Sequence, residues 1–250
     1  MSGALEDIRL EARELVERAE AEGITIRLLG GLAVALHCNS ASRPGLAREY
    51  VDIDFAGYGR QARAIKRLLE ARGYRPNEMF NAIRGGRRLM YFDLKNRRRV
   101  DVFLDKFSMC HTIDLRPRLP LGRLTLPLAD LLLTKLQVFQ TSQKDVLDIA
   151  AILLDHDVAL EEGHEVVNGP YIAELCSRDW GLYRTSRGTA ERCMALLPQI
   201  PLRQGEGELI ARRLGLLLEL IESRPKGLRW RLRAKLGERI RWYNLPEEPE

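Results

Sequence analysis

The spacing of apolar residues predicts a helix, a short strand and a second helix at the start of the chain. Residues 4 to 22 place apolar side chains along one face of a helix, and Gly23 ends it. The stretch ITIRLLGG, residues 24 to 31, reads as a short strand that closes with a glycine pair. LAVALHC, residues 32 to 38, has the pattern of a buried helix, and residues 39 to 47 have the composition of a loop.

Alternating and apolar runs predict further strands up to about residue 105. YVDIDFAG, residues 50 to 57, is the second strand, and residues 59 to 73 form a helix that ends at Gly73. Three extended segments follow, at about residues 79 to 84, 87 to 96 and 98 to 105. The first half of the chain is therefore expected to build a sheet with helices beside it.

The pattern after residue 126 is helical. Residues 122 to 126 read as a last short strand, Pro127 opens a helix at its first turn, and Ser142 is a candidate N-cap for the helix that follows. Further helices are predicted at 169 to 178, 180 to 196, 206 to 222 and 228 to 241, and the tail from residue 245 is expected to fray. The predicted fold is α+β: a mixed β-sheet domain with flanking helices over 1–126 and a helical domain over 127–250.

Composition agrees with a globular protein of the cytoplasm. The 250 residues are 45% hydrophobic and 30% charged, and no apolar run approaches the roughly 18 residues that span a bilayer. The N-terminus is a charged helix pattern without the features of a signal peptide. The four cysteines are far apart and form no C-x-x-C pair, which argues against disulfides and zinc. The net charge of +5 favours polyanionic partners, either nucleic acid or nucleotide phosphates.

Two aspartates one residue apart interrupt the strand at residues 50 to 57. In an extended chain Asp52 and Asp54 point to the same face, roughly 7 Å apart, while Val51, Ile53 and Phe55 point into the interior. Neighbouring carboxylates raise each other's pKa unless a cation lies between them, and a divalent metal is the simplest such cation. Asp101 in RRVDVF projects from a later strand in the same way, with Asp93 as its rival for the third position. Three carboxylates on neighbouring strands predict a site for one or two Mg²⁺ ions bridging nucleotide phosphates.

The glycine pair adds a phosphate-binding feature. Gly30 and Gly31 let the backbone approach a phosphate closely, and the following helix N-terminus favours negative charge. Gly30-Gly31, then Arg48 four residues before Asp52-Ile53-Asp54, resemble the first two motifs of the nucleotidyltransferase superfamily with the DNA polymerase β fold. The resemblance is closest to the AbiEii-like branch, the toxins of type IV toxin–antitoxin systems.

Two later motifs extend the resemblance to about residue 150. Lys135 lies in DLLLTKLQVF, and Lys144, Asp145 and Asp148 lie in QKDVLDIAAIL. Independently of the family, two lysines could neutralise triphosphate oxygens during in-line displacement, and Asp148 could orient one of them or position the attacking hydroxyl. Lys144 with Asp148 is equally the pattern of a surface i, i+4 pair, and Lys135 that of a side chain whose stem packs beside leucines.

Together these features predict a metal-dependent enzyme that moves a nucleoside monophosphate from an NTP to a hydroxyl acceptor. Asp52, Asp54 and Asp101 would bind Mg²⁺, with Mn²⁺ as the alternative, and Asp101 would complete the site or act as base. Gly30, Gly31, Arg48, Lys135 and Lys144 would bind the nucleotide, with Lys135 and Asp148 also acting in catalysis. The resemblance implies tRNA or a protein as acceptor and a cognate antitoxin as partner. An aminoglycoside-type small-molecule acceptor, or a non-catalytic nucleotide- or RNA-binding module, is the alternative.

Two other sequence features receive structural interpretations. His37, His111, His156 and His164 do not cluster at metal-ligand spacing and are each expected to be surface or core residues. The basic segment 224–242, with Trp230 and Trp242, could be a nucleic-acid patch with stacking aromatics. Burial of both tryptophans in an amphipathic packing helix is the favoured reading of that segment.

Overall fold

The structure is a computed structural model that describes residues 3–163 and 165–245. The predictions for His164 and for the tail beyond residue 245 fall outside those ranges. The strands are β1 (Ile26–Leu29), β2 (Asp52–Gly57), β3 (Arg75–Pro76), β4 (Arg88–Asp93), β5 (Arg98–Leu104), β6 (Lys106–Ser108), β7 (Thr112–Asp114), β8 (Asp157–Ala159) and β9 (Val166–Asn168). The helices are α1 (Ile8–Ala21), α2 (Gly30–His37), α3 (Ala62–Ala71), α4 (Glu78–Arg84), α5 (Leu128–Leu136), α6 (Gln143–Asp155), α7 (Gly169–Arg178), α8 (Trp180–Leu196), α9 (Glu206–Ser223) and α10 (Leu228–Leu236).

A five-stranded mixed sheet forms the centre of the first half, as the α+β prediction required. Its strand order is β1-β2-β5-β4-β3. β2 and β5 run parallel, and the remaining neighbours are antiparallel. Ile53 and Phe55 are fully buried between the partly buried Asp52 and Asp54, so the predicted alternation is confirmed there. It is wrong for Val51, which precedes β2 and is 56% exposed, because the strand begins one residue later.

One predicted strand is a helix. The segment at about 79 to 84, expected to be extended, lies in α4. The Asn77 side chain caps this helix by accepting a hydrogen bond from the Phe80 amide at 3.0 Å. An acidic residue, Glu78, in the first turn further favours a helix start. The apolar residues that suggested a strand, Met79 and Ile83, are exposed on α4.

Short strands were missed, and two other segments differ from their predicted form. Residues 106 to 114 form the β6–β7 hairpin, and β8 pairs with β9 within the half predicted to be all helical. The predicted strand at 122–126 is reduced to one bridge between Leu28 and Thr125. α10 ends at Leu236 rather than 241 because Gly237 takes a left-handed φ of 56°.

The second half packs directly on the sheet domain. α6 begins at a capping box in which Ser142 and Asp145 exchange side-chain-to-backbone hydrogen bonds, so the predicted N-cap is confirmed. α5 and α6 pack on α2, and the buried apolar residues on both sides of position 126 form one continuous core. None of the helices in the described ranges is both long and apolar enough to cross a membrane.

Candidate active site

The glycine pair lies where β1 passes into α2, and a β-carbon at either position would meet a side chain of the predicted site. Gly30 has a left-handed φ of 72°, and a β-carbon there would overlap Oδ2 of Asp54. A β-carbon at Gly31 would overlap the Arg48 guanidinium and lie 3.1 Å from Oδ2 of Asp148. The left-handed φ favours glycine at Gly30, whereas at Gly31 a side chain would displace the end of Arg48. The pair brings the start of α2 against three of the predicted site residues.

The sheet register brings two of the predicted aspartates side by side. Asp54 lies opposite Asp101 in the parallel β2–β5 pair and opposite Leu29 in the antiparallel β1–β2 pair. Residues opposite each other in a sheet point to the same face, so the two carboxylates share one face. Asp101 is fully buried, whereas Asp52 and Asp54 are partly buried. The register thus places Asp54 at the meeting point of the glycine pair and the second carboxylate strand.

Asp54 carries a perturbed carboxyl group. Burial, followed by the charges of Asp101 and Asp52, raises the pKa of Asp54 to about 7, against the opposing effect of Lys135 and Arg88. Within the described residues its carboxylate makes no hydrogen bond and no ion pair. A carboxylate left without a partner near other carboxylates is typical of a functional site.

Two arginines that the sequence interpretation missed surround Asp101. Arg88 Nε donates to Asp101 Oδ1 at 2.8 Å. Arg99 bridges two aspartates, with Nε 2.8 Å from Asp101 Oδ2 and Nη2 3.2 Å from Asp52 Oδ2. The signal for Arg99 was present in RRVDVF, because a residue two before Asp101 in a strand points to the same face.

Asp93, the rival for the third carboxylate, has structural partners at the turn between β4 and β5. Its carboxylate accepts hydrogen bonds from the Lys95 and Asn96 amides and from the Asn96 side chain, and it lies 3.2 Å from Arg98 Nε. These contacts close the turn. Asp101 is therefore the carboxylate that the structure puts beside Asp54.

A cluster of ion pairs that joins the two halves of the chain borders the glycine pair. Arg48 donates from Nε and Nη2 to the two carboxylate oxygens of Asp148, each at 2.9 Å. Lys135 Nζ lies 2.8 Å from Asp148 Oδ2 and 3.1 Å from Asp145 Oδ1. Burial acts to lower the pKa of Lys135, but Asp148 and Asp145 raise it above the ordinary lysine value, so the ammonium stays charged. Arg48 also lies over the Tyr50 ring, 4.3 Å from its centroid.

Lys144 is the one predicted nucleotide ligand that does not join this cluster in the described structure. It is exposed on α6, whereas its neighbour Asp145 turns inward to Lys135. Residues 145 and 148 lie on one helix face because they are three apart, which is the sequence signal for the role of Asp145.

The three aspartates offer the oxygen donors that Mg²⁺ and Mn²⁺ prefer. Among the described residues, the partnerless carboxylate of Asp54 fits a cation at this face of the sheet, whereas Asp101 Oδ2 is already paired with Arg99 Nε at 2.8 Å. Arg99 lies between Asp52 and Asp101, and within the described residues the three carboxylates do not converge to within 4.8 Å of one another. A cation there would be held by Asp54 together with a neighbour, and Arg99 would have to move for all three to join.

A basic groove of about 210 Å³ opens next to Asp101. It is lined by two aromatic rings and four cationic side chains, namely Phe80, Phe103, Arg84, Arg87, Arg88 and Lys106. Arg88 connects the groove to the aspartates, since it contacts Asp101 while its guanidinium lies 4.7 Å from the Phe103 ring centroid. Arginines with aromatic rings are a common surface for nucleic acid.

The tryptophans of the C-terminal basic segment have internal partners. Trp230 donates from Nε1 to the Cys176 carbonyl at 3.0 Å and packs against Tyr183. Trp242 donates to the Thr185 hydroxyl at 3.1 Å and packs against Trp180. Both rings therefore pack internally, but they are only partly buried and Trp242 lies beyond the end of α10, so the predicted burial in one packing helix holds only in part.

Comparison with known proteins adds no family assignment. Neither the protein-family models nor the curated proteins gave a match to this chain.

Proposed function

We propose that the protein is a nucleotidyltransferase that moves a nucleoside monophosphate from an NTP to a hydroxyl acceptor and releases pyrophosphate. The observation that carries this proposal is the environment of Asp54. Its partnerless carboxylate, with a pKa of about 7, lies against Gly30 and directly opposite Asp101. Phosphate binding at a glycine-opened helix start and cation binding at paired carboxylates are the two requirements of nucleotidyl transfer.

The residues of the site divide the work between the two halves of the chain. The backbone amides at the start of α2 would donate hydrogen bonds to the triphosphate, and Lys135 would add positive charge. A divalent cation held by Asp54 and its neighbours would neutralise phosphate oxygens as charge develops. The acceptor oxygen would bond to the α-phosphorus while the bond to the bridging oxygen breaks, and the hydroxyl proton would leave to a carboxylate or to water.

Lys135 and Arg48 are held in place by ion pairs with Asp148. Both cations are held by Asp148 in the structure, close to Gly31. Phosphate oxygens can replace a carboxylate as partners of lysine and arginine, because both are oxyanions. We assign Asp148 to the positioning of these two cations.

The basic groove favours a polynucleotide acceptor. It offers cationic and aromatic side chains beside Asp101, in a place where an RNA end could reach the aspartates. Transfer to tRNA, as an AbiEii-like toxin would perform it, therefore agrees better with the groove than transfer to a protein or to an aminoglycoside-type small molecule. A non-catalytic nucleotide- or RNA-binding module is the second candidate, since Arg99 already neutralises part of the carboxylate cluster.

Calorimetry with each NTP and Mg²⁺ tests the nucleotide site. We expect the wild type to bind at least one NTP–Mg²⁺ and Asp54→Asn to bind it much more weakly. Asp114→Asn is the matched control, because it removes an exposed carboxylate that pairs with Arg116 in the β6–β7 hairpin. Equal binding by the wild type and Asp54→Asn would refute the assignment of Asp54.

Incubation with NTPs labelled at the α-phosphate and with total tRNA tests the transfer. Label on the tRNA that depends on Asp54 supports the enzyme. Nucleotide binding with no labelled acceptor among tRNA, total protein and aminoglycosides supports the binding module instead.

A further inference from the structure

Two histidines and a glutamate far apart in the sequence meet at the side of the molecule away from the glycine pair. One ligand atom from each of His37, His156 and Glu165 lies within 4.8 Å of the others. His37 is the last residue of α2 and His156 is the C-cap of α6. His37 and Glu165 also line a cavity of about 420 Å³. None of these side chains belongs to the proposed nucleotide site.

The hydrogen bonds of His37 leave one ring nitrogen free to bind a metal. The Thr125 hydroxyl donates its proton to the Leu126 carbonyl at 2.9 Å, so its oxygen acts as acceptor towards His37 Nε2 at 2.6 Å. The proton of His37 is thereby assigned to Nε2, and the lone pair to Nδ1. Burial lowers the pKa of His37, which favours the neutral ring.

His156 has the complementary arrangement. Its Nδ1 lies 3.1 Å from the Glu165 carbonyl oxygen and 3.4 Å from Glu165 Oε2, and both acceptors favour the proton on Nδ1. Its Nε2 is buried and has no hydrogen-bond partner among the described residues, in a side chain only 6% exposed. A buried nitrogen lone pair without a partner is costly unless a ligand satisfies it. Metal-binding histidines typically donate their second nitrogen to a carbonyl or hydroxyl, as both rings do here.

We propose that His37, His156 and Glu165 bind a Zn²⁺ ion. Two imidazoles and one carboxylate are a known ligand set for zinc, and the cavity leaves the fourth position open to water. The ion would join the C-terminal ends of α2 and α6. Because α2 begins at Gly30 and α6 carries Asp148, this site would brace the two helices that border the proposed nucleotide site.

Titration of metal-free protein with Co²⁺ and Zn²⁺ in the absence of nucleotide tests the site. We expect one equivalent of Co²⁺ to give the visible absorption of tetrahedral coordination, and Zn²⁺ to displace it. At saturating Zn²⁺ the Tm of the wild type should rise by about 5 °C or more. Mg²⁺ should not displace Co²⁺ from this site, because nitrogen ligands suit it poorly.

Three variants separate this site from unspecific binding. Glu165→Gln and His37→Gln change side chains that are not fully buried, and each should lose the Co²⁺ spectrum and the Zn²⁺-dependent rise in Tm. Glu161→Gln removes an exposed carboxylate from the same loop and should keep both. Absence of saturable one-to-one binding by the wild type, or binding that Glu165→Gln and His37→Gln leave unchanged, would overturn the proposal.

Discussion

At the scale of single residues, the carboxylate of Asp54 is the least favourably placed charge described for the candidate site, because burial and neighbouring carboxylates raise its pKa. Its ionised form is opposed by burial and by two neighbouring aspartates. A fold selected only for stability would place an apolar or hydrogen-bonded residue at this position. The free-energy cost of ionising Asp54 in the folded protein is explained if a cation or a nucleotide–metal complex binds beside it.

The raised pKa of Asp54 makes stability depend on pH in a stated direction. The folded protein keeps the proton up to about pH 7, whereas the unfolded chain loses it near the ordinary value of 3.8. Stability from the protonated group is therefore fully present below about pH 4 and is lost as the pH rises to about 7. In EDTA, the wild type should lose about 2 kcal/mol more unfolding free energy than Asp54→Asn between roughly pH 5 and pH 8.

Urea denaturation of both proteins at the two pH values measures this difference. Groups remote from Asp54 titrate alike in the wild type and in the variant, so their effects cancel in the comparison. Equal losses of stability would show that Asp54 titrates normally in the folded protein.

Gly30 offers a second prediction, with Gly23 as its matched control. Both have a left-handed φ, near 70°, but a β-carbon at Gly23 would meet no atom within 4 Å. Gly23→Ala should cost roughly 1–2 kcal/mol for the backbone conformation alone. Gly30→Ala should cost more, because its β-carbon overlaps the Asp54 carboxylate.

A double-mutant cycle isolates the overlap. Adding Asp54→Ala to Gly30→Ala should recover the excess over Gly23→Ala, measured as unfolding free energy in urea. If Gly30→Ala and Gly23→Ala cost the same, Asp54 does not lie against Gly30 as described.

The acidic residues of the candidate site could be predicted from the sequence, but the arginines that pair with them could not. Same-face placement of Asp52 and Asp54 follows from the two-residue period of a strand, which is a local property. The contact of Arg88 with Asp101 depends on the pairing of β4 with β5, and that of Arg48 with Asp148 joins residues a hundred positions apart. Neither pairing is encoded in a local pattern. The histidine and glutamate cluster was missed for the same reason.

At the scale of elements, long periodic helices were predicted well and short strands poorly. α8 and α9 have enough turns for their apolar periodicity to be clear. β6, β7 and β8 have three residues each, too few to show alternation. The arrangement that matters most, β2 parallel to β5, is a property of topology that no single segment shows.

The docking of α1 beside α3 gives a prediction that concerns folding alone. Arg72, just after α3, places Nη2 2.7 Å from Oε2 of the fully buried Glu11 and 2.8 Å from Glu14 Oε2. Arg72→Met should cost about 3–5 kcal/mol of unfolding free energy, because it leaves the Glu11 charge buried without its guanidinium partner. Arg18→Met removes a partly exposed i, i+4 pair with Glu14 and should cost less than about 1 kcal/mol.

Chemical denaturation of the two variants checks the contrast. The double variant Glu11→Gln with Arg72→Met should regain part of the loss, since no unpaired charge then remains buried. Similar costs for Arg72→Met and Arg18→Met would mean that the Glu11 ion pair adds little to the docking of α1.

At the scale of the whole molecule, the net charge of +5 becomes informative only through its distribution. The basic groove gathers four cationic side chains beside the aspartates, whereas α10 carries its exposed arginines and lysines far along the chain from the proposed site residues. The sequence interpretation considered a nucleic-acid patch in the C-terminal segment but favoured a packing role for it. Its tryptophans pack internally, so the groove is the better candidate.

Two double variants that each remove two positive charges distinguish these surfaces. Arg87→Ala with Lys106→Ala changes exposed residues of the basic groove, and Arg229→Ala with Lys235→Ala changes exposed residues of α10. Binding of a short labelled single-stranded RNA should weaken strongly in the groove variant and little in the α10 variant. Each lost phosphate contact reduces the slope of log K against log salt by ~0.7, so the groove variant should be less steep by ~1.4. Fluorescence anisotropy across a KCl series measures both quantities.

Because the variants have equal net charge, matching losses of affinity would mean that RNA responds to overall charge and that the groove does not bind it specifically.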